Sequence, residues 1–583
     1  MITYRVDVPD PRTHLFHVTL EVPTPSVEQR LSLPVWIPGS YLVREFGRHL
    51  SQLRARQGEH RLPLDQLDKT TWIVRCEPAA GALVVEYLVY AFDTSVRTAY
   101  LDTQRGFFNG TSICLRVEGR EGEPHRLCIG SCPEGWDIAT AMPATSPRVH
   151  EATDYDELVD HPFELGSFWR GRFEADGVPH EFVVAGALPS FDGERLLADA
   201  RRICEAQIAF WHGDGPAQGG RKPPFERYVF MLNVVEEGYG GLEHRASTAL
   251  IANRRDLPKR GAEGMSDGYA TLLGLISHEY FHTWNVKRLK PRDFERLDYG
   301  RENYTRLLWF FEGFTSYYDD LLLVRSGLID EGRYLKLIAK TINGVLGTPG
   351  RQVQTVAEAS FDAWVKYYRS DENTPNATVS YYAKGSLVAL ALDLKLREEG
   401  AATLDQLMQR LWTSSGGGPI SEDDIARVLE ELAGRSIAND LQTWVHGTGE
   451  LPISSLMQHM GIDWREEAAT GLAQMLGLRV SEGPLTGVQV KAVLRGSAAE
   501  RAGLAAGDEL WAIDGWRVRR LDDALQWLEP GRPFEFLGVR DQRVFSLQVM
   551  PPDAAESPRT VTLAVADKAT KSTAALRRAW LHG

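Results

Sequence analysis

HEYFH at residues 278–282 is the stretch that decides how this chain is interpreted, and FEGFT at residues 311–315 completes it. On a helix, positions i and i+4 lie one turn apart on the same face, so His278 and His282 are predicted to bind one metal ion together. Glu312 lies in an apolar, aromatic stretch, where burial of an unpaired carboxylate is costly unless a cation offsets it. Catalytic zinc sites have three protein ligands and one open position, so we expect one Zn²⁺ per chain.

Two further side chains suit hydrolysis at such a metal. Glu279 is near enough to take a proton from a metal-held water and pass it to a departing amine. A hydrogen-bond donor must also stabilise the negative charge on the substrate oxygen, and a tyrosine with a pKa near ~10 stays protonated at neutral pH. Tyr382, in VSYYAKGS (379–386), is the candidate donor, and Tyr381 is the alternative that sequence spacing does not separate from it.

The stretch GGLEH (240–244) is predicted to be a loop between a strand and the metal-site helix. Gly240 and Gly241 would let a substrate backbone come close, because they have no side chain. Glu243 would then bind the α-amino group of a peptide, which is largely protonated at neutral pH. Such an anchor would limit cleavage to the first residue. The alternative is that Glu243 is a solvated turn residue.

Composition excludes several other classes of protein. The chain has 583 residues, 43% of them hydrophobic and 25% charged, which is typical of a multidomain globular protein rather than a disordered one. A net charge of −14 argues against nucleic-acid binding, which needs clustered Lys and Arg. No apolar run is long enough to suggest a signal peptide or a membrane span, and five cysteines suit a reducing compartment, so we expect a cytoplasmic protein. Nothing in the sequence sets the oligomeric state.

The hydrophobic pattern changes along the chain and predicts a multidomain α+β fold. Residues 1–172 alternate with period two and are broken by Pro and Gly, which is typical of an antiparallel β-sandwich. Residues 173–460 read as a catalytic domain, mixed α/β first and then helical. Residues 465–553 return to short strands. Residues 554–583 form a tail that either docks through a helix near its end or frays.

Two features of the terminal regions suggest contacts beyond their own domains. GSAAERAGLAAGDELWAIDGWRV (496–518) resembles a PDZ domain, which would hold a peptide C-terminus near residues 476–478. In the β domain, WIPGSY (36–41) and GFFNGTS (106–112) are aromatic and glycine-rich. These loops either reach toward a neighbouring domain or seal one end of the sandwich.

Taken together, these motifs resemble the glycyl aminopeptidase family, gluzincin metallopeptidases that carry a C-terminal PDZ domain. The resemblance extends over most of the chain. It includes the two aromatic loops, GGLEH, HEYFHTWNVKR (278–288), FEGFTSYY (311–318), YYAKGS (381–386), HGTGELP (446–452) and the PDZ segment. It implies a thermolysin-like catalytic domain with His278, His282 and Glu312 as zinc ligands.

The resemblance also implies roles for single residues. Glu279 corresponds to the catalytic base, Glu243 to the glutamate that binds the substrate amine, and Tyr382 rather than Tyr381 to the transition-state tyrosine. Two positions depart from the broader gluzincin pattern. His244 replaces an Asn, and the stretch between the two metal motifs is longer, which implies a surface insertion around residues 291–295.

The resulting hypothesis is a zinc aminopeptidase that removes the first residue of peptides, with a preference for small residues such as Gly or Ala that rests on the resemblance alone. Two alternatives stay open. One is a zinc endopeptidase, if no residue anchors the substrate amine. The other is a peptide-binding protein that works through its PDZ domain, with the metal domain as a scaffold.

Overall fold

The computed structural model describes residues 1–213, 222–553 and 557–583. By its internal contacts the chain forms two compact units. The first contains Met1–Tyr304, Tyr318–Leu328 and Met408–Ser421, and the second contains Thr305–Tyr317, Ile329–Leu407 and Glu422–Gly583. The multidomain α+β class predicted from the sequence is confirmed.

The first unit begins with a β domain of three sheets. Eight strands form one sheet in the order Ala144–Ser146, Val149–Ala152, His125–Ile129, Ile2–Asp7, Leu15–Val22, Leu83–Tyr90, Leu50–Gln57 and His60–Leu62. The second sheet contains Asp137–Ala139, Phe163–Gly166, Arg105–Phe108 and Ala99–Leu101, and the third contains Arg116–Val117, Glu28–Ser32, Thr71–Arg75 and Leu64–Gln66. Alternate residues of the strands are buried in one shared apolar core. The pairing of Ile2–Asp7 with His125–Ile129 is parallel, an exception to the predicted antiparallel pattern.

A five-stranded mixed sheet follows in the order Trp169–Ala175, Val178–Ala185, Tyr228–Val235, Ser247–Asn253 and Gly240–Glu243. The helix Gly193–His212 packs on this sheet. The prediction of a loop at 240–244 was wrong for its first four residues, because Gly240–Glu243 is an edge strand paired antiparallel with Ser247–Asn253. A tight reversal after Glu243 permits this pairing, with the His244 N–H donating to the Ser247 carbonyl.

The metal-motif helix carries HEYFH at its C-terminal end. It spans Asp267–Phe281, is capped by the Ser266 side chain, and ends at His282. The second metal motif lies on two helices, Leu308–Phe311 and Gly313–Arg325. The break falls at Glu312, which is the C-cap residue of the first helix.

The second unit contains a largely helical part and a C-terminal β part. Its other helices, including one that continues into the first unit, are Glu331–Leu346, Val356–Phe361, Thr374–Ala377, Tyr381–Glu398, Leu404–Ser415, Glu422–Ala433, Ala438–Trp444 and Ile453–His459. In the β part, a sheet has the order Leu478–Gly483, Gly487–Val493, Glu509–Ile513, Phe534–Arg540 and Arg543–Val549, with Trp516–Arg517 beside the third strand. The short helices Leu472–Leu476 and Ala498–Ala502 pack with this sheet.

The last thirty residues contain an element that the sequence did not predict. Arg559–Val565 is a strand that pairs antiparallel with Ile462–Ala468. The final helix, Lys571–His582, buries Trp580 completely. Residues 554–556 of the predicted tail lie outside the described residues.

Side-chain amides hold the C-terminal part against the helical part of the same unit. Asn376 donates to the Val493 carbonyl over 2.9 Å and accepts from the Arg495 N–H over 2.8 Å. Asn343 makes the same pair of bonds with both backbone groups of Val561, over 2.8 Å and 2.7 Å. Each asparagine thus replaces one residue of a neighbouring strand as hydrogen-bond partner.

None of the helices in the described parts of the chain combines the length and apolar character that a membrane span requires. All five cysteines are free thiols.

Candidate active site

The two histidines of HEYFH lie with their ring nitrogens in a defined arrangement. Their Nε2 atoms are 3.1 Å apart. The other ring nitrogen, Nδ1, makes a hydrogen bond in each histidine. His278 Nδ1 donates to Asp319 Oδ2 over 3.0 Å, and His282 Nδ1 donates to the Asn285 carbonyl over 2.8 Å. A histidine that binds a metal through one nitrogen normally donates the other N–H in this way. The rings are therefore set to present Nε2 to one ion.

Glu312 supplies the third candidate ligand. One ligand atom from each of His278, His282 and Glu312 lies within 4.8 Å of the others, and Glu312 is only 2% exposed. Two imidazole nitrogens and one carboxylate oxygen are a donor set that zinc uses in catalytic sites. These residues fit the metal that the sequence motif implies.

Glu279 packs directly against the strand Gly240–Glu243. A Cβ atom at Gly241 would lie 2.1 Å from Glu279 Oε1, so a side chain at this position would displace the Glu279 carboxylate. Gly240 has space for an added Cβ, with neighbours at 3.5 Å or more, but its φ of +156° is one that residues with a side chain rarely adopt. Gly241 lets the candidate base approach the strand closely, and the substrate contact predicted for the two glycines stays a prediction.

Glu243, the candidate amine anchor, is buried under the aromatic loop of residues 36–41. A Cβ at Gly39 would lie 2.5 Å from Glu243 Oε2, and Gly39 has a φ of +90°, a conformation that favours glycine. Trp36 Nε1 donates to the Asp298 carbonyl over 2.8 Å, and the Tyr41 ring stacks on Phe294 at 5.9 Å. The loop therefore reaches the catalytic part of the chain, as one of the two sequence interpretations proposed.

These contacts also correct the predicted surface insertion. Phe294 is buried, and Tyr299 is buried near Trp36, with ring centroids 6.3 Å apart. Residues around 291–299 thus cover the aromatic loop instead of forming a purely solvated segment. The aromatic side chains drive this packing because they bury large apolar areas.

A buried charged cluster lies behind Glu243. Asp160 Oδ1 accepts from Lys287 Nζ over 2.7 Å and lies 3.4 Å from His244 Nδ1, and Asp160 Oδ2 accepts from the Arg245 N–H over 3.0 Å. Burial alone would raise the pKa of Asp160, but Lys287, His244 and Arg245 hold it well below its usual range. Burial lowers the pKa of His244, so the imidazole is neutral at neutral pH.

Tyr382 differs from Tyr381 in exposure and electrostatic surroundings. Tyr381 is fully buried, whereas Tyr382 is partly exposed. Burial and the nearby Glu312 carboxylate raise the pKa of Tyr382 well above its usual value, which keeps its hydroxyl protonated. The two motifs approach closely, since a Cβ at Gly313 would lie 2.5 Å from the Gly385 Cα. Tyr382 is the tyrosine that combines access with proximity to Glu312.

Asp319 is a site residue that sequence reasoning missed. Asp319 lies seven positions after Glu312, about two helical turns further on. Helical spacing could therefore have predicted that the two carboxylates lie on the same face. The contacts of Gly39 and Asp160 had no such signal, because nothing in their local sequence points to GGLEH.

Comparison with solved structures finds an extensive match. A crystal structure of an aminopeptidase N family protein from Idiomarina loihiensis is 37% identical, covers 100% of both chains and has a TM-score of 0.93. An M1 zinc metallopeptidase from Deinococcus radiodurans, crystallised as a variant with the peptide Tyr-Ser-Ala, is 15% identical, with coverage of 78% of this chain and 94% of its own and a TM-score of 0.47. The last similarity is too low to bear on the fold or activity of this chain. No curated protein matches.

Family models match three segments. Residues 3–167 match the peptidase M61 N-terminal domain, residues 271–388 match M61 glycyl aminopeptidase, and residues 489–537 match a PDZ domain. The order of these matches is the domain order predicted from the sequence. The chain therefore belongs to the M61 glycyl aminopeptidase family and is a metallo-aminopeptidase.

Proposed function

We propose that this protein is a zinc-dependent aminopeptidase that binds one Zn²⁺ per chain and removes small N-terminal residues, such as Gly or Ala, from peptides. The proposal is supported by the close approach of one ligand atom from each of His278, His282 and Glu312. The Nδ1 atom of each imidazole also donates to its own acceptor. The preference for small residues is supported by the family alone.

Zinc bound by these three residues would polarise the substrate carbonyl and lower the pKa of water toward ~7. Glu279 takes a proton from the attacking water and transfers it to the departing amine. Its side chain is 5% exposed and packed on Gly241, which fixes its position. Tyr382 donates a hydrogen bond to the oxygen that becomes negative as the carbonyl is attacked.

The strand Gly240–Glu243 is the last strand of its sheet, and we infer that a substrate backbone aligns along it. Glu243 at the end of this strand binds the α-ammonium group. A carboxylate that binds this group restricts cleavage to the first peptide bond, which favours an aminopeptidase over an endopeptidase.

The test uses the purified full-length protein, its zinc content and the 4-nitroanilides of Gly and Ala. We expect turnover that chelation abolishes and zinc restores, with no turnover of the N-acetylated anilides. Glu279→Gln should lower kcat by at least about 10³-fold, because it removes the base without changing the shape of the side chain. Glu237→Gln, at a carboxylate that is 79% exposed, is the control and should leave kcat unchanged.

Two outcomes would contradict the proposal in different ways. Full activity of Glu279→Gln would end the zinc hydrolase mechanism. Equal cleavage of acetylated and free substrates by the unmodified enzyme would leave the mechanism intact but replace the aminopeptidase with an endopeptidase.

A further inference from the structure

A small cavity of about 50 Å³ lies beside the candidate amine anchor. Glu243 and His244 both line it, together with Gly39, Lys287 and Tyr299. The cavity therefore shares Glu243 with the substrate site proposed above.

Two hydrogen-bond acceptors in the wall of this cavity have no partner among the described residues. They are Glu243 Oε1 and His244 Nε2. Glu243 is 4% exposed and His244 is 1% exposed. A buried acceptor without a partner destabilises a protein, so such groups normally meet a ligand or an ordered water.

The contact with Asp160 determines which ring nitrogen of His244 accepts. Lys287 keeps Asp160 ionised, so its oxygen facing His244 Nδ1 accepts the N–H of that ring nitrogen. A neutral imidazole carries one proton, which leaves Nε2 with a lone pair. His244 thus presents a neutral acceptor next to the negative Glu243.

We propose that His244 Nε2 and Glu243 Oε1 together bind the α-ammonium group of the substrate. A primary ammonium has three N–H donors and can satisfy both acceptors at once. One anionic and one neutral acceptor bind a single positive charge without the repulsion that two adjacent carboxylates would create. This inference rests on the proposed function and adds to it a second residue that recognises the free amine.

The test compares two inhibitors that differ only in the ammonium group, glycine hydroxamate and acetohydroxamate, on the zinc-loaded full-length enzyme. His244→Phe removes the acceptor and keeps a flat ring. His244→Gln keeps an acceptor close to the position of Nε2. Inhibition constants and calorimetric Kd values are measured for both ligands, with zinc content and thermal unfolding as checks on folding.

We expect His244→Phe to weaken the binding of glycine hydroxamate about tenfold, which is the effect of losing one hydrogen bond to a charged group. The binding of acetohydroxamate should weaken by less than about twofold. The KM for Gly 4-nitroanilide should rise about tenfold while kcat changes less. His244→Gln should stay within about threefold of the unmodified enzyme for both ligands. If His244→Phe does not fold, His244→Leu replaces it.

Equal weakening of both hydroxamates in the folded acceptor-free variant would overturn the inference, because the residue would then act only by packing. An unchanged constant for glycine hydroxamate would overturn it as well. In both cases, preferential cleavage of free amines by the unmodified enzyme would leave the proposed aminopeptidase intact. If the unmodified enzyme does not prefer substrates with a free amine, both the proposed function and this inference are overturned.

Discussion

The stretches that carry the imidazole ligands and the stretches that carry Glu312 and Tyr382 are held in different ways. Around the imidazoles, each side chain has a direct brace, such as the Asn285 carbonyl on His282 or the close packing of Gly39 on Glu243. Around Glu312 and Tyr382, the braces come from the C-terminal part of the chain. Tyr317 lies five residues after Glu312, and its hydroxyl accepts a hydrogen bond from Trp580 Nε1 over 2.9 Å.

Two further sets of contacts support the stretches that carry Glu312 and Tyr382, which we call the second region; the stretches that carry the imidazole ligands are the first region. One set is a buried network, and the other lies at the PDZ domain. The Tyr317 hydroxyl donates to Asp393 over 2.6 Å, and Arg397 pairs with Asp393 over 2.9 Å. Asn376, whose segment leads into the helix of Tyr382, is bonded to Val493 and Arg495. The C-terminal part is thus a structural component of the region that carries Glu312 and Tyr382. A truncation from about residue 465 would also remove Trp580, so it would not isolate the PDZ domain.

The largest effect should come from the end of the chain. Trp580→Ala leaves a cavity and removes the partner of Tyr317, and we expect a loss of about 3–5 kcal/mol in the free energy of unfolding, measured by denaturant titration. Trp516→Ala, at a side chain 67% exposed in the PDZ sheet, is the matched control and should change it by less than about 0.5 kcal/mol. Equal, small losses in both variants would show that the final helix is not part of the second region's support.

The next effect tests the packing brace of the first region. Gly39→Ala forces the Glu243 carboxylate to move, and we expect kcat/KM for Gly 4-nitroanilide to fall about 100-fold, mainly through KM. Gly58→Ala is the control, because Gly58 also has a positive φ (+55°) but open space around it. If the two variants behave alike, backbone strain and not contact with Glu243 explains the need for glycine.

A somewhat smaller effect is expected from the brace on the first imidazole. Asp319→Asn weakens the acceptor of His278 Nδ1, and zinc affinity should fall by about 10- to 100-fold in a competition titration with a chelator. Glu237→Gln should leave the affinity unchanged. An unchanged affinity in Asp319→Asn would mean that the hydrogen bond does not orient the ligand.

The smallest effect concerns the two asparagines that bond to the C-terminal part, Asn376 and Asn343. Asn376→Ala and Asn343→Ala each lose two hydrogen bonds to backbone, and both should cost about 2 kcal/mol of stability. Only Asn376 leads to Tyr382, so only Asn376→Ala should lower kcat, by about tenfold, with little change in KM. Equal kcat values for the two folded variants would show that the PDZ contact stabilises the unit without positioning the tyrosine.

Much of this protein was predictable where the relevant spacing is local. The candidate ligand pair His278 and His282 follows from helical periodicity, and the PDZ match follows from turn glycines and apolar positions in a fixed order. The family and the α+β class were predicted correctly on these grounds. The strand at Gly240–Glu243 was not, because two glycines predict a turn, whereas the pairing with Ser247–Asn253 is decided by the sheet.

The candidate ligands, the adjacent carboxylate and the succession of domains could be predicted without the structure, because each depends on one helix or one short motif. Three contacts became evident only in the folded chain: Gly39 covers Glu243, Asp160 orients His244, and Trp580 supports the helix after Glu312. The physical reason is that such contacts join residues far apart in the chain. Their energy depends on distances and directions that close packing creates, and no local pattern encodes them.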